Sequence, residues 1–314
     1  MSADVLQWMR ECEVVIGVAS AGSGLSVRDL RIQFEITKTI GRVPNTCEIK
    51  IYNLSPDNEA KIKGEFDEVL VNAGYKGHAL LIFRGNIRRT FRYRDGNDYI
   101  MQIDAADGDK DFRKSIVNTT LAAGSSSAQL LDHVVGTFSS TKRGHAVIKD
   151  RARLRGRVIS SPSRDVLDDI AAESDAHWSI QDGVLEIVPV DSTLPTEAIV
   201  LRSDTGLLGA PEVDDKGIKA KCLLNPAIRV NGKVQLDNND LRAKIKIEHE
   251  KKASTVTHRV TSAKTKKELA RLDPDGIYKV VKLVHKGDNR GSDWTTEVHC
   301  TALAKTIPAG KRAA

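Results

Sequence analysis

Residues 44–55 read Pro44-Asn45-Thr46-Cys47-Glu48-Ile49-Lys50-Ile51-Tyr52-Asn53-Leu54-Ser55, and their reading decides the fold. Cys47, Ile49 and Ile51 point to one side of an extended chain, and Glu48, Lys50 and Tyr52 to the other. That period of two predicts a strand with one face on a core. Ser55 then stands as the N-cap of a short helix. Pro56 follows at the first helical position, where a missing N–H costs nothing, and Asp57 and Glu59 complement the positive end of the helix dipole. A related strand-to-turn pattern returns at Lys219-Ala220-Lys221-Cys222-Leu223-Leu224-Asn225-Pro226. Two such units in one chain, with no obvious active site, point to a structural, assembling protein rather than an enzyme.

Working outward, Val14, Ile16 and Val18 alternate, Ala21-Gly22-Ser23-Gly24 offers a turn, and Leu30 to Thr37 resumes the alternation, which reads as a hairpin. Strands are expected around Ala79 to Phe83 and Tyr99 to Ala105, separated by a basic segment and an Asp95-Gly96 turn. Residues 1–106 are therefore expected to form a small antiparallel β-barrel with one helix. The middle of the chain, 107–198, changes character. Ser125 to Phe138 carries Leu130, Leu131, Val134, Val135 and Phe138 at helical spacing, and Ser161-Pro162 is expected to cap a helix that turns Val166, Leu167, Ile170 and Ala171 inward. His177 to Ile180 and Val184 to Val188, joined by Gln181-Asp182-Gly183, make a hairpin. From 199 to 306 the chain is again strand-like, with Ile277 to Val284 and Thr295 to Thr301 as its clearest strands, and 307–314 reads as a loose tail. The expected fold is α+β, mainly β: two antiparallel β-barrels flanking a middle α+β domain.

A chain of 314 residues can bury a sizeable core, and 40% hydrophobic with 29% charged residues is an ordinary globular balance. No stretch approaches the roughly 20 apolar residues of a membrane span. The N-terminal residues do not read as a secretory signal, so folding in a cytoplasm is expected. Cys12, Cys47, Cys222 and Cys300 are far apart and lack zinc-ligand spacing, which makes them core thiols. The net charge of +6 is concentrated between Leu241 and Arg271, where ten Lys or Arg face three Glu.

Three constellations bear on chemistry. Asp107-Gly108-Asp109-Lys110-Asp111 places carboxylates at alternate positions, but a calcium loop would need glycine at Phe112 and glutamate at Asn118, so a solvated turn is expected. His285-Lys286-Gly287-Asp288 with Trp294 suggests a His–Asp pair that nothing completes, and a turn over Gly287 to Gly291 joining two strands is expected there. No nucleophile elbow, zinc-binding His pair or P-loop occurs; no catalytic, cofactor-binding or metal-binding residue is assigned, and no cofactor is expected. The basic stretch alternates Leu241, Ala243, Ile245 and Ile247 with charged residues and reads as a hairpin with one cationic face. Its Lys244, Lys246, Lys251, Lys252, Lys264, Lys266 and Lys267 are the candidate partner-binding residues. It has no aromatic side chain on which bases could stack.

Across most of its length the chain resembles the baseplate hub proteins of tailed phages, chiefly those with contractile tails. In the first unit the resemblance rests on Pro44-Asn45 through Tyr52-Asn53-Leu54-Ser55, Ala73-Gly74-Tyr75, Phe83-Arg84-Gly85-Asn86-Ile87 and Asp107-Gly108. In the second it rests on Gly217-Ile218, Cys222-Leu223-Leu224-Asn225-Pro226, Gly276-Ile277-Tyr278-Lys279-Val280, and His285 through Val298. The resemblance implies a homotrimer in which each chain supplies two tail-tube-like barrels, so that three subunits form a pseudo-sixfold ring around the tail channel. It implies a sixfold tail tube protein above, a threefold spike protein below, further contacts to a tape-measure protein and other baseplate proteins, and DNA passing through without sequence-specific binding. The place is the virion's tail baseplate, assembled in the host cytoplasm. The basic hairpin at 241–271 departs from the family pattern. Rival readings are a tail-associated cell-wall hydrolase component, for which a paired-carboxylate cleft is lacking, and a DNA-contacting channel protein.

Overall fold

The computed structural model of the chain describes residues 7–18, 24–213, 217–236 and 276–303. Within them the protein is α+β and mainly strand. The first part runs β1 (Arg10–Gly17), β2 (Gly24–Val27), β3 (Ile32–Thr39), β4 (Thr46–Tyr52), α1 (Pro56–Gly64), β5 (Glu68–Tyr75), β6 (Leu80–Asp95) and β7 (Asp98–Ala106). The middle contains α2 (Asp109–Lys114), β8 (Ile116–Leu121), α3 (Ser127–Gly136), β9 (Lys142–Ala146), β10 (Arg157–Pro162), α4 (Ser163–Glu173), β11 (Ala176–Gln181) and β12 (Val184–Pro189). The last part contains β13 (Ile199–Leu201), a 3₁₀ turn (Ser203–Thr205), β14 (Glu212–Val213), β15 (Ile218–Leu223), β16 (Lys233–Leu236), β17 (Ile277–Asp288) and β18 (Trp294–Ala302).

The first and last parts share one sheet of 13 strands, ordered β14-β15-β18-β17-β3-β4-β7-β6-β5-β1-β2, with β16 on β17 and β13 on β16. The seam is β17. Its first residues pair with β16 (Lys279 opposite Lys233), and its later ones pair antiparallel with β3, from Lys282 opposite Thr39 to Asp288 opposite Gln33. The change of partner falls at a bulge between Val280 and Lys282, where a strand gains the twist needed to leave one neighbour for another. Three apolar cores result. One gathers Val14, Ile36, Ile49, Val71, Phe83 and Ile103 and also takes in Leu224 and Trp294 from late in the chain; a second lies under α3 and α4; the third holds Val234, Tyr278, Leu283 and Val298.

Local structure follows the sequence in several places. Ser55 caps α1 by accepting from Asn58 N–H, with Pro56 at its start, and α3 begins in a capping box of Ser126 and Gln129. Asp182 and Gly183, at φ 56° and 79°, form the tight turn between β11 and β12. All four cysteines are buried free thiols.

Other expectations need correction. The strand at Leu30–Thr37 is not the hairpin partner of the first strand: β1 pairs with β2 and β5, and β3 pairs with β4 and β17. The basic segment after Phe83 is not a connection, because β6 continues through it to Asp95. A further strand, β5, fills the space after α1. Ser161 does not cap α4; it lies in β10, and Pro162 stands at the cap without a side-chain bond. Asp107, Asp109 and Asp111 are not solvated but are each at most 2% exposed. The turn expected over Gly287 to Gly291 does join two strands, but it starts only at Asn289, because His285 to Asp288 still belong to β17.

Candidate functional site

Strand alternation aligns across the large sheet so that one face is largely polar over the six strands from β18 to β6. The registers place Leu223, Thr295, Lys286, Glu35, Glu48, Asp104 and Arg89 in a single row from β15 to β6. A neighbouring row runs Asp288, Gln33, Lys50, Gln102 and Phe91. Residues one position on, such as Ile36, Ile49 and Ile103, fill the core beneath. Glu35 lies directly opposite Glu48, and Glu48 opposite Asp104, an arrangement that destabilises a sheet unless cations intervene. They do: Lys286 bonds Glu35 at 3.0 Å, Lys50 bonds Glu48 at 3.0 Å, and Arg89 bonds Asp104 at 2.5 Å. Farther along, Lys219 meets Glu297 at 3.0 Å. The hollows on this face, about 560 Å³ over Glu35, Glu48, Arg89 and Asp104 and about 200 Å³ over Gln33, Lys50 and Asp288, are open and shallow. Such a surface suits contact with a large partner more than enclosure of a small ligand.

A second constellation fastens the middle of the chain to the sheet. Asp107 is fully buried at the end of β7 and accepts backbone N–H groups of Asp182 at 2.5 Å and Gly183 at 2.9 Å. Lys38 reaches from β3 to Asp182 at 2.6 Å. Asn45 accepts from Thr39 N–H at 2.9 Å and donates to Ile180 C=O at 2.8 Å and Gln181 Oε1 at 3.0 Å. Gly108, at φ 59°, leaves room for Ile180, whose side-chain atoms a Cβ would strike. Burial and then the nearby Asp182 charge push the Asp107 carboxyl up to about 7, against the pull of Lys38 and the two backbone donors. The far end of β12 is tied to the last part of the sheet, with buried Lys279 donating to Pro189 C=O at 3.0 Å. Every polar group in this clamp is occupied by a neighbour, which makes it a fastening.

His285 and Asp288 do not meet. His285 Nδ1 faces Thr296 Oγ1 at 2.8 Å, and burial, aided by Lys38, pushes its pKa down to about 3. Asp288 instead takes Arg31 at 2.7 Å and Gln33 at 2.8 Å. Burial pushes its carboxyl up, but these bonds, the Arg290 N–H and the Arg31 charge outweigh that and hold it at about 2. Among the described residues, no three His, Cys, Asp or Glu side chains are grouped to hold a metal ion, and no helix is long and apolar enough to cross a membrane. Lys244, Lys246, Lys251, Lys252, Lys264, Lys266 and Lys267 lie outside the described residues. The outward side chains of β4 were legible from alternation alone, but the charged row was not, because Lys286 joins Glu35 only through a pairing between distant strands.

The family model of baseplate hub gp41 matches residues 12–240. No curated protein sequence matches the chain. Among solved structures, the 43 kDa tail protein of prophage MuSo2 from Shewanella oneidensis superposes with a TM-score of 0.60 at 10% identity, covering 95% of this chain and 99% of that one. A tail protein from Neisseria meningitidis MC58 gives 0.60 at 9% identity, with 94% and 97% covered. The E. coli c3393 protein, a type VI secretion component described as structurally similar to phage T4 tail proteins gp27 and gp5, gives 0.54 at 8% identity, with 90% and 76% covered. At such identities the likeness is one of fold.

Proposed function

Because the chain belongs to the baseplate hub gp41 family, and is thereby a structural component of a phage tail tip, we propose that it works as a homotrimeric adaptor between the tail tube and the spike. In this reading the first and last parts of the chain, 1–106 and 199–306, act as two tube-like units, so three copies present six units to a sixfold tube and keep threefold symmetry toward the spike. The single observation that carries the reading is the largely polar face from β18 to β6, which spans both parts of the chain through the β3–β17 seam.

Turned inward, that face would line the channel. Several of its cations are matched with a carboxylate, as in Lys286–Glu35, Lys50–Glu48 and Lys219–Glu297. A polyanion passing over it would find no continuous cationic track of the kind that gives nucleic acid its salt-dependent grip. The middle domain, 107–198, would then lie outside the ring or toward the spike, and the lysines of the 241–271 segment would face another tail component. Light scattering on the purified full-length chain tests the proposal. The expected mass is three times 34.4 kDa, and a chain that stays monomeric at every concentration, alone and with tube and spike proteins, would overturn it.

A further inference from the structure

The middle of the chain carries a two-stranded ribbon, β8 with β10, whose inner side chains Val117, Leu121 and Ile159 lie in the second core with those of α3 and α4. Its outer face is uncovered among the described residues. The register sets Ile116 opposite Pro162, Asn118 opposite Ser160 and Thr120 opposite Val158 on that face, with Ile116 61% and Val158 72% exposed. None of the six is charged, in a chain of which 29% is charged.

The turn that leads into β10 is fastened in place. Arg153 N–H donates to Ser125 C=O at 2.9 Å, Gly124 N–H donates to Arg153 C=O at 2.7 Å, and the Arg153 guanidinium bonds Glu173 at 3.0 Å. Leu154, the next residue, is 96% exposed. A leucine held out on an anchored turn, beside an uncharged face, is an apolar contact already organised for a partner.

Cations stand at both ends of the ribbon: exposed Lys114 two residues before Ile116, and exposed Arg155 two residues before Arg157. Arg157 meets Asp169 at 3.6 Å, and Lys149 and Arg153 are matched with Asp175 and Glu173. Lys114 and Arg155 form no ion pair among the described residues, and neither β8 nor β10 contains Asp or Glu. An uncharged centre with cationic ends is the anatomy of a protein interface whose partner brings carboxylates to the rim. Nucleic acid fits less well, because the ribbon has no aromatic side chain for stacking and no run of cations along it. The chain's own net charge of +6 makes a second copy a poor electrostatic match.

We infer that the outer face of the β8–β10 ribbon and the Leu154 tip dock an acidic protein of the same tail, with Leu154 entering an apolar pocket and Lys114 and Arg155 meeting carboxylates at its rim. The inference takes from the tail-tip role only the set of candidate partners, and it does not depend on the trimer.

Binding to the full-length chain in a biosensor tests it, with the tail tube, spike and other baseplate proteins of the same phage, each purified alone, as the probes. An acidic one is expected to bind, and to bind more weakly as NaCl rises. Leu154→Asp is expected to weaken that binding about tenfold or more, and so is Lys114→Glu with Arg155→Glu. Lys61→Glu with Lys63→Glu, the same charge change on α1, is expected to leave it unaltered. All these side chains are exposed, so the circular dichroism spectrum should match that of the wild type in every variant. Binding by none of the probes, binding indifferent to both ribbon variants, or an equal loss in the α1 control would overturn the inference. So would a short DNA duplex bound by the wild type and released by the ribbon variants, or a change in the chain's own oligomeric state with Leu154→Asp, which would give the face to another copy. A monomeric wild type that still binds its partner through this face would remove the trimer and leave this contact standing.

Discussion

At Asp107 a carboxylate with no exposure sits between two backbone N–H donors and the charges of Lys38 and Asp182. Its folded-state pKa of about 7 stands above the ordinary value of 3.8, so the folded chain holds a proton that the unfolded chain has already lost. The stabilising contribution is therefore fully present below about pH 4 and disappears as pH rises through 7; a shift of about three units corresponds to at most about 4 kcal/mol. Urea titrations across that range should show the wild type losing stability relative to Asp107→Asn, whose side chain does not titrate, and parallel curves would refute the assignment. Asp288 has the opposite sign. Held at about 2, it contributes about 2 kcal/mol above pH 4 that is lost as the pH falls through 2. Asp288→Ala should cost about that much near neutrality, and should also loosen the bonds that Arg31 and Gln33 make from β3.

At the scale of elements the seam between β3 and β17 depends on a glycine. Gly287 lies opposite Phe34, and a Cβ there would enter the Phe34 ring, which itself meets Trp294 edge-on with ring centres 5.7 Å apart. Gly287→Ala should cost about 1–3 kcal/mol by overpacking, and Phe34→Ala about 3–5 kcal/mol by leaving a cavity. The double variant should cost less than the sum, because the new methyl occupies space the ring vacated; strict additivity in chemical denaturation would contradict this packing. None of that seam was legible in the sequence, since residues more than two hundred positions apart leave no local signature of pairing. What alternation, helical spacing and capping chemistry do specify came through: β4 with α1 and its Ser55 cap behind it, α3 from its apolar spacing, and the Asp182-Gly183 hairpin. β5 did not, because Asn72, Ala73 and Gly74 are poor strand formers; Gly74 is required there because a Cβ would lie 2.5 Å from the His78 carbonyl oxygen. The Asp107 clamp was half visible. Pro44-Asn45 and Asp107-Gly108 carry part of the family resemblance, but their fastening role depends on β11 and β12, whose approach leaves no local signature in the sequence.

For the whole molecule, the β11–β12 hairpin is fixed at both ends, to the first part of the sheet through Lys38, Asn45 and Asp107 and to the last part through Lys279. The sheet is continuous across the seam, and Leu224 and Trp294 pack into the first core, so the three cores should unfold as one cooperative unit. Each end of the hairpin is then a point where cooperativity can be cut. Lys38→Met leaves Asp182 without its cation and beside buried Asp107, a loss typically worth about 3–5 kcal/mol for a buried pair. Much of that loss falls on the attachment of the middle domain rather than on its own core, which α3, α4 and Trp178 hold together. The tryptophans provide the readout. Trp178 lies in the middle core and Trp294 in the sheet core, so variants with the third tryptophan, Trp8, replaced and only one of these two retained report each region separately. In the wild-type background both should follow the same denaturation curve. With Lys38→Met the Trp178 transition should move to lower denaturant while the Trp294 transition shifts less. If the two probes stay superimposed, the clamp does not set how the middle domain is coupled to the sheet.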